Sequence, residues 1–216
     1  MCPHCSSPCI RFGKSATGTQ RYRCKKCRRT HSKSYSYHAY ESGTDVSIKE
    51  HVKEGCGIRS IARLLKIATT TVLRRIVRIS KAIMKPMITM GKDYELDEMC
   101  TYIKKKTNLR WIVYAIRKDN KEVVDFAVGC RTTRTLKLVT DTLILSNAHM
   151  VYTDKLRQYA TLLPMAIHWT TQYGTNDIER KNLSLRIHLK RLCRRTICFS
   201  RTMCLLRACL AIYFWG

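Results

Sequence analysis

Acidic residues are scarce in this sequence. Only 15 Asp and Glu residues accompany 41 Lys and Arg residues over 216 positions, so the formal net charge is +26. A field of this sign repels cationic ligands and attracts polyanions, and it drives phosphate binding that does not depend on sequence. The composition therefore favours nucleic acid as the partner, with an acidic membrane surface as the alternative.

Long apolar runs are also missing. No stretch approaches the roughly 18 apolar residues that a membrane-spanning helix needs, and the most apolar segment, CLLRACLAIYFWG, is interrupted by Arg207. The first residues, MCPHCSSP, have neither the basic nor the apolar segment of a signal peptide. We therefore expect an intracellular protein without membrane association, whose 12 cysteines bind metal or are buried instead of forming disulfides.

Four cysteines form a doubled CxxC pattern in residues 1–35. Cys2 and Cys5 belong to CPHC, Cys24 and Cys27 belong to CKKC, and 18 residues separate the two pairs. Four thiolates at this spacing are typical of a tetrahedral zinc site. The intervening residues suit two short strands joined by a turn that contains glycine. The sequence thus predicts a zinc-ribbon-like knuckle with bound Zn²⁺.

Residues 44–84 carry apolar side chains at helical spacing on both sides of a short turn, KIATTT. The apolar positions are Ile58, Ile61, Leu64 and Leu65, then Val72, Leu73, Ile76, Val77 and Ile79. Helix, tight turn and helix is the pattern of a helix-turn-helix DNA-binding domain. The alternative is two packed helices with a basic solvent face. On the first interpretation, the second helix binds DNA through Thr70, Thr71, Arg74, Arg75 and Arg78.

Acids are concentrated after a predicted linker at residues 85–92. The segment DYELDE, which starts at Asp93, holds four of the 15 acids in six positions. Alternating apolar residues predict a strand, which places Asp93, Glu95 and Asp97 on one face and Glu98 on the other. Glu95 and Glu98 have the alternative interpretation of strand-face acids neutralised by the lysines at 104–106.

The rest of the chain, 93–216, has the element order of a ribonuclease-H-like domain. A strand pair in 110–129 follows the acidic strand, then a helix in TRTLKLVTDTLILS and a buried strand that ends at Asp154. A long helix follows within 173–195, and Asn176 or Asp177 can cap its start. The predicted fold class is therefore α/β and multi-domain, with a zinc ribbon, a helix-turn-helix and a ribonuclease-H-like catalytic domain in that order.

Several polar residues of the final two elements are candidates for chemistry. Asp154 follows a buried strand, where metal ligands of α/β sheets usually lie. Glu179 lies beside the apolar stripe of the long helix, although an isolated Glu there is also an ordinary ion-pair partner. Asn182, one turn beyond Glu179, is a candidate for orienting a metal-bound water, and Arg186, two turns beyond, for holding a phosphate. Lys190 is a further candidate for DNA binding.

The chain resembles the insertion-sequence-one family of bacterial transposases over nearly its full length. The similarity lies in CPHC, FGKSATGTQRYRCKKCRRT, ELDEM, RWIVYA, YTDKL and, most specifically, IERKNLSLRIHLKRLCRRTICFS. It implies an Asp-Asp-Glu catalytic triad at Asp97, Asp154 and Glu179 that binds Mg²⁺ or Mn²⁺. Glu95 and Glu98 remain alternatives for the first acid. A basic chain that binds DNA would thus gather acids to hold the ions that cut it.

The resemblance implies a DDE-type DNA transposase. It would bind the terminal inverted repeats of an insertion sequence, cleave the strands and transfer them into target DNA. We expect a homo-oligomer, at least a dimer, because both ends must be cut together, and a location in the bacterial cytoplasm with the nucleoid. One alternative is a zinc-dependent DNA-binding transcription regulator without catalysis, and another is a nuclease or resolvase that does not transfer strands.

Overall fold

The chain is organised as two compact units. The computed structural model describes residues 1–32, 37–171, 173–193 and 195–216. The first unit covers residues 1–44 and the second covers residues 45–216. Residues 33–35, the last three of the predicted zinc ribbon, lie outside the described residues. The division into four segments with boundaries at 1–35, 44–84, 85–92 and 93–216 stays a prediction.

The first unit is built on a small antiparallel sheet. Its strands are β1 (Cys9–Lys14), β2 (Gln20–Cys24) and β3 (Thr30–Ser32), in the order β1-β2-β3. The sequence predicts the first two strands but not the third, which pairs with β2. In the described part of this unit the buried apolar side chains are only those of Cys2, Cys24 and Ala39. The sheet therefore has almost no hydrophobic core to stabilise it.

The second unit begins with three helices: α1 (Thr44–Lys53, the first residue of which belongs to the first unit), α2 (Ile58–Leu64) and α3 (Thr69–Ala82). Ile61, Val72 and Ile76 are fully buried, as the apolar spacing predicts. The apolar spacing also predicts that Leu64 is buried, and this prediction is wrong, because Leu64 is 60% exposed. Ile67, three residues after the end of α2, is buried instead. The assignment of α2 and α3 as a DNA-binding helix-turn-helix stays a prediction.

A five-stranded mixed sheet forms the centre of the second unit. Its strands are β4 (Asp93–Tyr102), β5 (Leu109–Arg117), β6 (Val123–Gly129), β7 (Met150–Thr153) and β8 (His168–Trp169), in the order β6-β5-β4-β7-β8. The first three are antiparallel neighbours, while β7 is parallel to β4 and β8 is parallel to β7. This mixed α/β arrangement fits the predicted ribonuclease-H-like domain. The short strand β8 was not predicted.

Four helices cover the sheet: α4 (Thr133–Leu145), α5 (Arg157–Leu162), α6 (Asn176–His188) and α7 (Met203–Trp215). Residues of α4 and α5 pack with Tyr94 and Leu96 of β4, and residues of α6 and α7 pack with Met99 of the same strand. The pleat of β4 thus divides its side chains between two apolar layers. Among the described residues, no helix is both long enough and apolar enough to cross a membrane.

The helix α6 is shorter than the sequence predicts. The apolar spacing indicates a helix within 173–195 that Asn176 or Asp177 caps, but α6 ends at His188 and a separate 3₁₀ turn follows at Lys190–Leu192. Leu189 has extended backbone angles, and both Leu189 and Leu192 are buried. At this end Gly55 lies so close that a Cβ built on it would be 1.7 Å from the carbonyl oxygen of His188. The helix thus ends at His188, and the extended backbone at Leu189 allows both leucines to be buried close to Gly55.

Candidate functional site

The four predicted zinc ligands converge in the first unit. The Sγ atoms of Cys2, Cys5, Cys24 and Cys27 all lie within 4.8 Å of one another. The Cys2–Cys27 sulfur distance is 3.6 Å and the Cys5–Cys24 distance is 3.4 Å. A tetrahedral site with Zn–S bonds of about 2.3 Å places its sulfurs about 3.8 Å apart, so the cluster fits Zn²⁺. Hydrogen bonds from the backbone and side chain of Ser7 lower the pKa of Cys5 to about 6, whereas burial and the neighbouring thiols raise the pKa of Cys27 to about 12, so the two thiols differ in how readily they form the thiolate that binds metal.

Three acids converge where the strand β7 ends beside the middle of β4. Asp97 and Glu98 lie on β4, and Asp154 directly follows β7. Leu96 pairs with Thr153 across these parallel strands, so the following residues of both strands emerge at the same level. One carboxylate oxygen from each acid lies within 4.8 Å of the others. The carboxyl ends of parallel strands are a usual location for ligand sites in α/β proteins.

The environment of this acid cluster disfavours negative charge. Burial, together with the charges of Glu98 and Asp154, raises the pKa of Asp97 to about 6. Burial also raises the pKa of Glu98. Three carboxylates in such proximity repel one another, and oxygen ligands of this kind are those that Mg²⁺ and Mn²⁺ prefer. The donor set therefore fits a hard divalent cation.

Glu98 is held by two residues that sequence reasoning missed. Arg131 donates from Nε to Oε1 of Glu98 at 3.1 Å, and the Tyr159 hydroxyl donates to Oε2 at 2.9 Å. The guanidinium of Arg131 also lies 4.4 Å from the centre of the Trp111 ring. No local sequence pattern indicates these partners, because they lie 33 and 61 residues from Glu98 along the chain.

The expected counter-charges of Glu95 and Glu98 were wrong. The sequence suggests the lysines at 104–106, but Glu98 pairs with Arg131, and Glu95 pairs with Lys118 at 3.2 Å. The lysines at 104–106 follow the end of β4 at Tyr102. Tyr102 is four residues beyond Glu98, or roughly 13 Å along the strand, and the lysines follow it in a turn. Lys118 directly follows β5 and Arg131 follows β6, and the fold places these two residues beside the acids instead.

The helix α6 reaches the acid cluster through Asn182. The side-chain amide of Asn182 donates to Oδ2 of Asp97 at 2.6 Å, and its carbonyl oxygen accepts a hydrogen bond from the Tyr114 hydroxyl at 2.9 Å. Tyr114 is fully buried on β5, so it fixes the orientation of the amide. Sequence reasoning placed Asn182 at the site as a candidate for orienting water, and the structure places it directly against Asp97.

Glu179 lies apart from the three converging acids. It is exposed in the first turn of α6, and Oε1 accepts a hydrogen bond from Thr175 Oγ1 at 3.3 Å. It is three residues before Asn182, so the two side chains share one face of the helix. Among the described residues, the cluster within 4.8 Å contains Asp97, Glu98 and Asp154 but not Glu179. The catalytic role of Glu179 stays a prediction.

The predicted DNA-binding side chains of α3 are in two different environments. The set comprises Thr70, Thr71, Arg74, Arg75 and Arg78. Thr70 and Arg74 are exposed and Thr71 is half-buried. Arg75 and Arg78 both donate to the carboxylate of Asp45 near the start of α1, with a 2.6 Å contact from Arg75. The guanidinium groups of Arg75 and Arg78 therefore already have an acidic partner within the protein.

The two remaining predicted DNA-binding residues lie near the end of α6. Lys190 is exposed in the 3₁₀ turn. Arg186 is half-buried, and its Nε is buried without a hydrogen-bond partner in the part of the chain that the structure describes. A buried donor that makes no hydrogen bond lowers the stability of the folded state. Arg186 therefore keeps an unsatisfied hydrogen-bond donor, and its role in DNA binding stays a prediction.

Comparison with known proteins gives consistent results. A family described as IS1 transposase matches residues 93–214. Insertion element iso-IS1n protein InsB of Shigella dysenteriae is 36% identical over 109 residues, which are 50% of this chain and 83% of that protein. Insertion element IS1 protein InsB of Shigella flexneri is 34% identical with the same coverage. Insertion element IS1 2 protein InsB of Escherichia coli strain K12 is 35% identical over 109 residues, which are 50% of this chain and 65% of that protein.

Proposed function

The chain belongs to the IS1 transposase family, and we propose that it is a DNA transposase. It binds the terminal inverted repeats of a bacterial insertion sequence, cleaves their strands in a metal-dependent reaction and transfers them into target DNA. The observation that carries this proposal is the convergence of Asp97, Glu98 and Asp154, where β7 ends beside the middle of β4. A strongly basic protein gains nothing for DNA binding from three neighbouring carboxylates, whereas a cation-dependent phosphodiester reaction needs them.

Asp97, Asp154 and Glu179 are the proposed ligands of Mg²⁺ or Mn²⁺. When bound, such ions activate the attacking oxygen and stabilise the leaving oxygen of a phosphodiester. Asn182 occupies Oδ2 of Asp97, which fixes the direction of the carboxylate. Glu179 shares a helix face with Asn182, which contacts Asp97, and this shared face supports its assignment as the third ligand.

The contacts of the neighbouring acids favour Asp97 as the first acid of the triad. Both oxygens of Glu98 are engaged, by Arg131 and Tyr159. Glu95 is buried, with one oxygen bound to a backbone amide and the other beside Lys118. Only Asp97 combines proximity to Asp154 with a single side-chain hydrogen bond from the protein. Glu98 then contributes charge to the site without serving as the principal ligand.

DNA binding is proposed for both units. In the first unit, Zn²⁺ held by the four cysteines supplies folding free energy that the small apolar core cannot. In the second, Thr70, Thr71, Arg74, Arg75 and Arg78 of α3 contact the terminal repeats, with Arg75 and Arg78 exchanging Asp45 for phosphate. Arg186 and Lys190 hold the backbone of the reacting strand. The active form is at least a dimer, because two ends are cut and joined together.

An in vitro strand-transfer reaction tests the proposal. Purified protein is incubated with terminal-repeat DNA, a supercoiled target and Mg²⁺. Joined products support the transposase, nicks without joining support a nuclease or resolvase, and intact DNA with retained binding supports a transcription regulator. Asp97→Asn, Asp154→Asn and Glu179→Gln should each abolish joining while DNA binding persists. Asp141→Asn, at an exposed ion pair on α4, is the matched control and should retain full activity.

A further inference from the structure

Glu95 is the most deeply buried acid in the described part of the chain, at 1% exposure, and it lies outside the three-acid cluster. Its Oε2 accepts a hydrogen bond from the backbone amide of Ile178 at 2.9 Å. Its Oε1 lies 3.2 Å from Nζ of Lys118. Burying a carboxylate is costly unless it is paired and hydrogen-bonded. The Ile178 amide and Lys118 are the two partners that offset this cost for Glu95.

The hydrogen bond to Ile178 lies at the start of α6. The first amides of a helix have no partner within the helix, and here the N-cap residue Thr175 makes no side-chain capping bond. The Glu95 carboxylate takes that place from the neighbouring strand β4, where the positive end of the helix dipole also favours it. A residue of the sheet thus caps the helix that carries Glu179.

A second set of bonds fixes the next turn of α6. The Tyr114 hydroxyl lies 3.3 Å from the Ile178 carbonyl oxygen and 2.9 Å from Oδ1 of Asn182. Asn182 in turn donates to Asp97. The first two turns of the helix are therefore attached to β4 and β5 through both backbone and side chain, on the same side of the sheet as Asp97.

We infer that Glu95 is a positioning residue for the metal centre, whose hydrogen bond to the Ile178 amide sets the register of α6 and so places Asn182 against Asp97 and directs the helix face that carries Glu179. This inference rests on the proposed function, in which Glu179 is a metal ligand. Partners of this indirect kind usually affect metal affinity strongly, because they hold the ligands in the geometry that the ion requires.

A competing role for Glu95 is to neutralise Lys118. The ammonium of Lys118 also lies 3.3 Å from the Gly174 carbonyl oxygen and 3.9 Å from the centre of the Tyr152 ring. These contacts hold Lys118 in position independently of Glu95. Two conservative substitutions separate the roles. Glu95→Gln keeps the length and an oxygen acceptor for Ile178 but loses the charge. Glu95→Asp keeps the charge but is shorter by one methylene and no longer reaches the amide.

The test measures Mn²⁺ binding to the full-length, zinc-loaded protein by titration calorimetry in the absence of DNA. Glu95→Asp should weaken Mn²⁺ binding roughly 10–100-fold, whereas Glu95→Gln should retain the wild-type affinity. Thermal melting checks that both variants are folded. Asp125→Asn is the matched control, because Asp125 is a buried acid of the same sheet that pairs with Lys85 and accepts a hydrogen bond from Thr142 of α4. It should leave Mn²⁺ affinity unchanged.

Three results would overturn the inference. The first is the reversed pattern, in which Glu95→Gln is impaired and Glu95→Asp is not, since it assigns Glu95 to Lys118. The second is wild-type affinity in both variants, and the third is equal impairment of both. Failure of the proposed metal centre gives a different result, because Asp97→Asn would then bind Mn²⁺ as tightly as the wild type.

Discussion

Replacing Asp97 with Asn should stabilise the metal-free protein while it abolishes activity. The pKa of Asp97 is raised from 3.8 to about 6, chiefly by burial. A raised carboxyl pKa means that the folded state binds the proton more tightly than the unfolded state. Stability from this group is therefore greatest at low pH and is lost as pH rises from about 4 to about 6. At neutral pH the charged carboxylate destabilises the fold.

The pKa shift gives the size of the effect. About two pKa units correspond to roughly 3 kcal/mol at neutral pH. Asn keeps the shape of Asp and an oxygen that accepts from Asn182, but it loses part of the hydrogen-bonding capacity, which costs about 1 kcal/mol. The net gain should be about 2 kcal/mol. For a unit of this size it corresponds to a rise in melting temperature of roughly 4–8 °C.

Differential scanning calorimetry in Mg²⁺-free buffer, with zinc retained, measures this difference. The gain should be full near pH 7.5 and should vanish near pH 4.5, where the wild-type carboxyl is already protonated. Added Mg²⁺ should stabilise the wild type but not Asp97→Asn. The control Asp141→Asn should change stability by less than about 1 kcal/mol, because its ion pair is exposed. An Asp97→Asn variant that is no more stable than the wild type at neutral pH, or a gain that persists at low pH, would refute the reasoning.

Three further predictions concern other parts of the fold. Gly55→Ala should destabilise the protein by at least about 2 kcal/mol more than Gly91→Ala in urea unfolding, because both glycines have positive φ but only the first meets backbone atoms within van der Waals distance; equal losses would contradict the close approach. Tyr159→Phe should cost about 1–3 kcal/mol in the same assay, because it removes a donor from a buried carboxylate; an unchanged midpoint would exclude that bond. Cys24→Ala should eliminate stoichiometric zinc and expose residues 1–32 to limited proteolysis, whereas Cys204→Ala, an exposed cysteine, should retain both zinc and protection.

Much of the central sheet could be predicted from local patterns. The alternation in DYELDE predicts that Glu95 and Asp97 share a face and that Glu98 lies on the other, and this is confirmed by their contacts with α6 and α5 respectively. A strand has a period of two residues, so the assignment needs no knowledge of its neighbours. The short elements α5 and β8 were missed, since six and two residues are too few to establish a period.

The partners of the acids depend on contacts that no local pattern encodes. Glu98 meets Tyr159 across 61 residues, and Asp97 meets Asn182 across 85. These contacts require the strand order that brings β7 beside β4, and the register at which α6 lies on the sheet. For the same reason, the sequence suggested the nearby lysines at 104–106 as counter-charges, whereas the fold supplies Lys118 and Arg131.

By itself, the sequence determined the excess of positive charge, the four-cysteine cluster and the acids of β4, because composition, ligand spacing and strand alternation are local properties of a chain. Only the tertiary structure decided which acids meet, which residues neutralise them and how α6 is attached beside Asp97. Those relations arise when elements distant in sequence pack together, and the free energy of burying a charged group depends on everything that surrounds it.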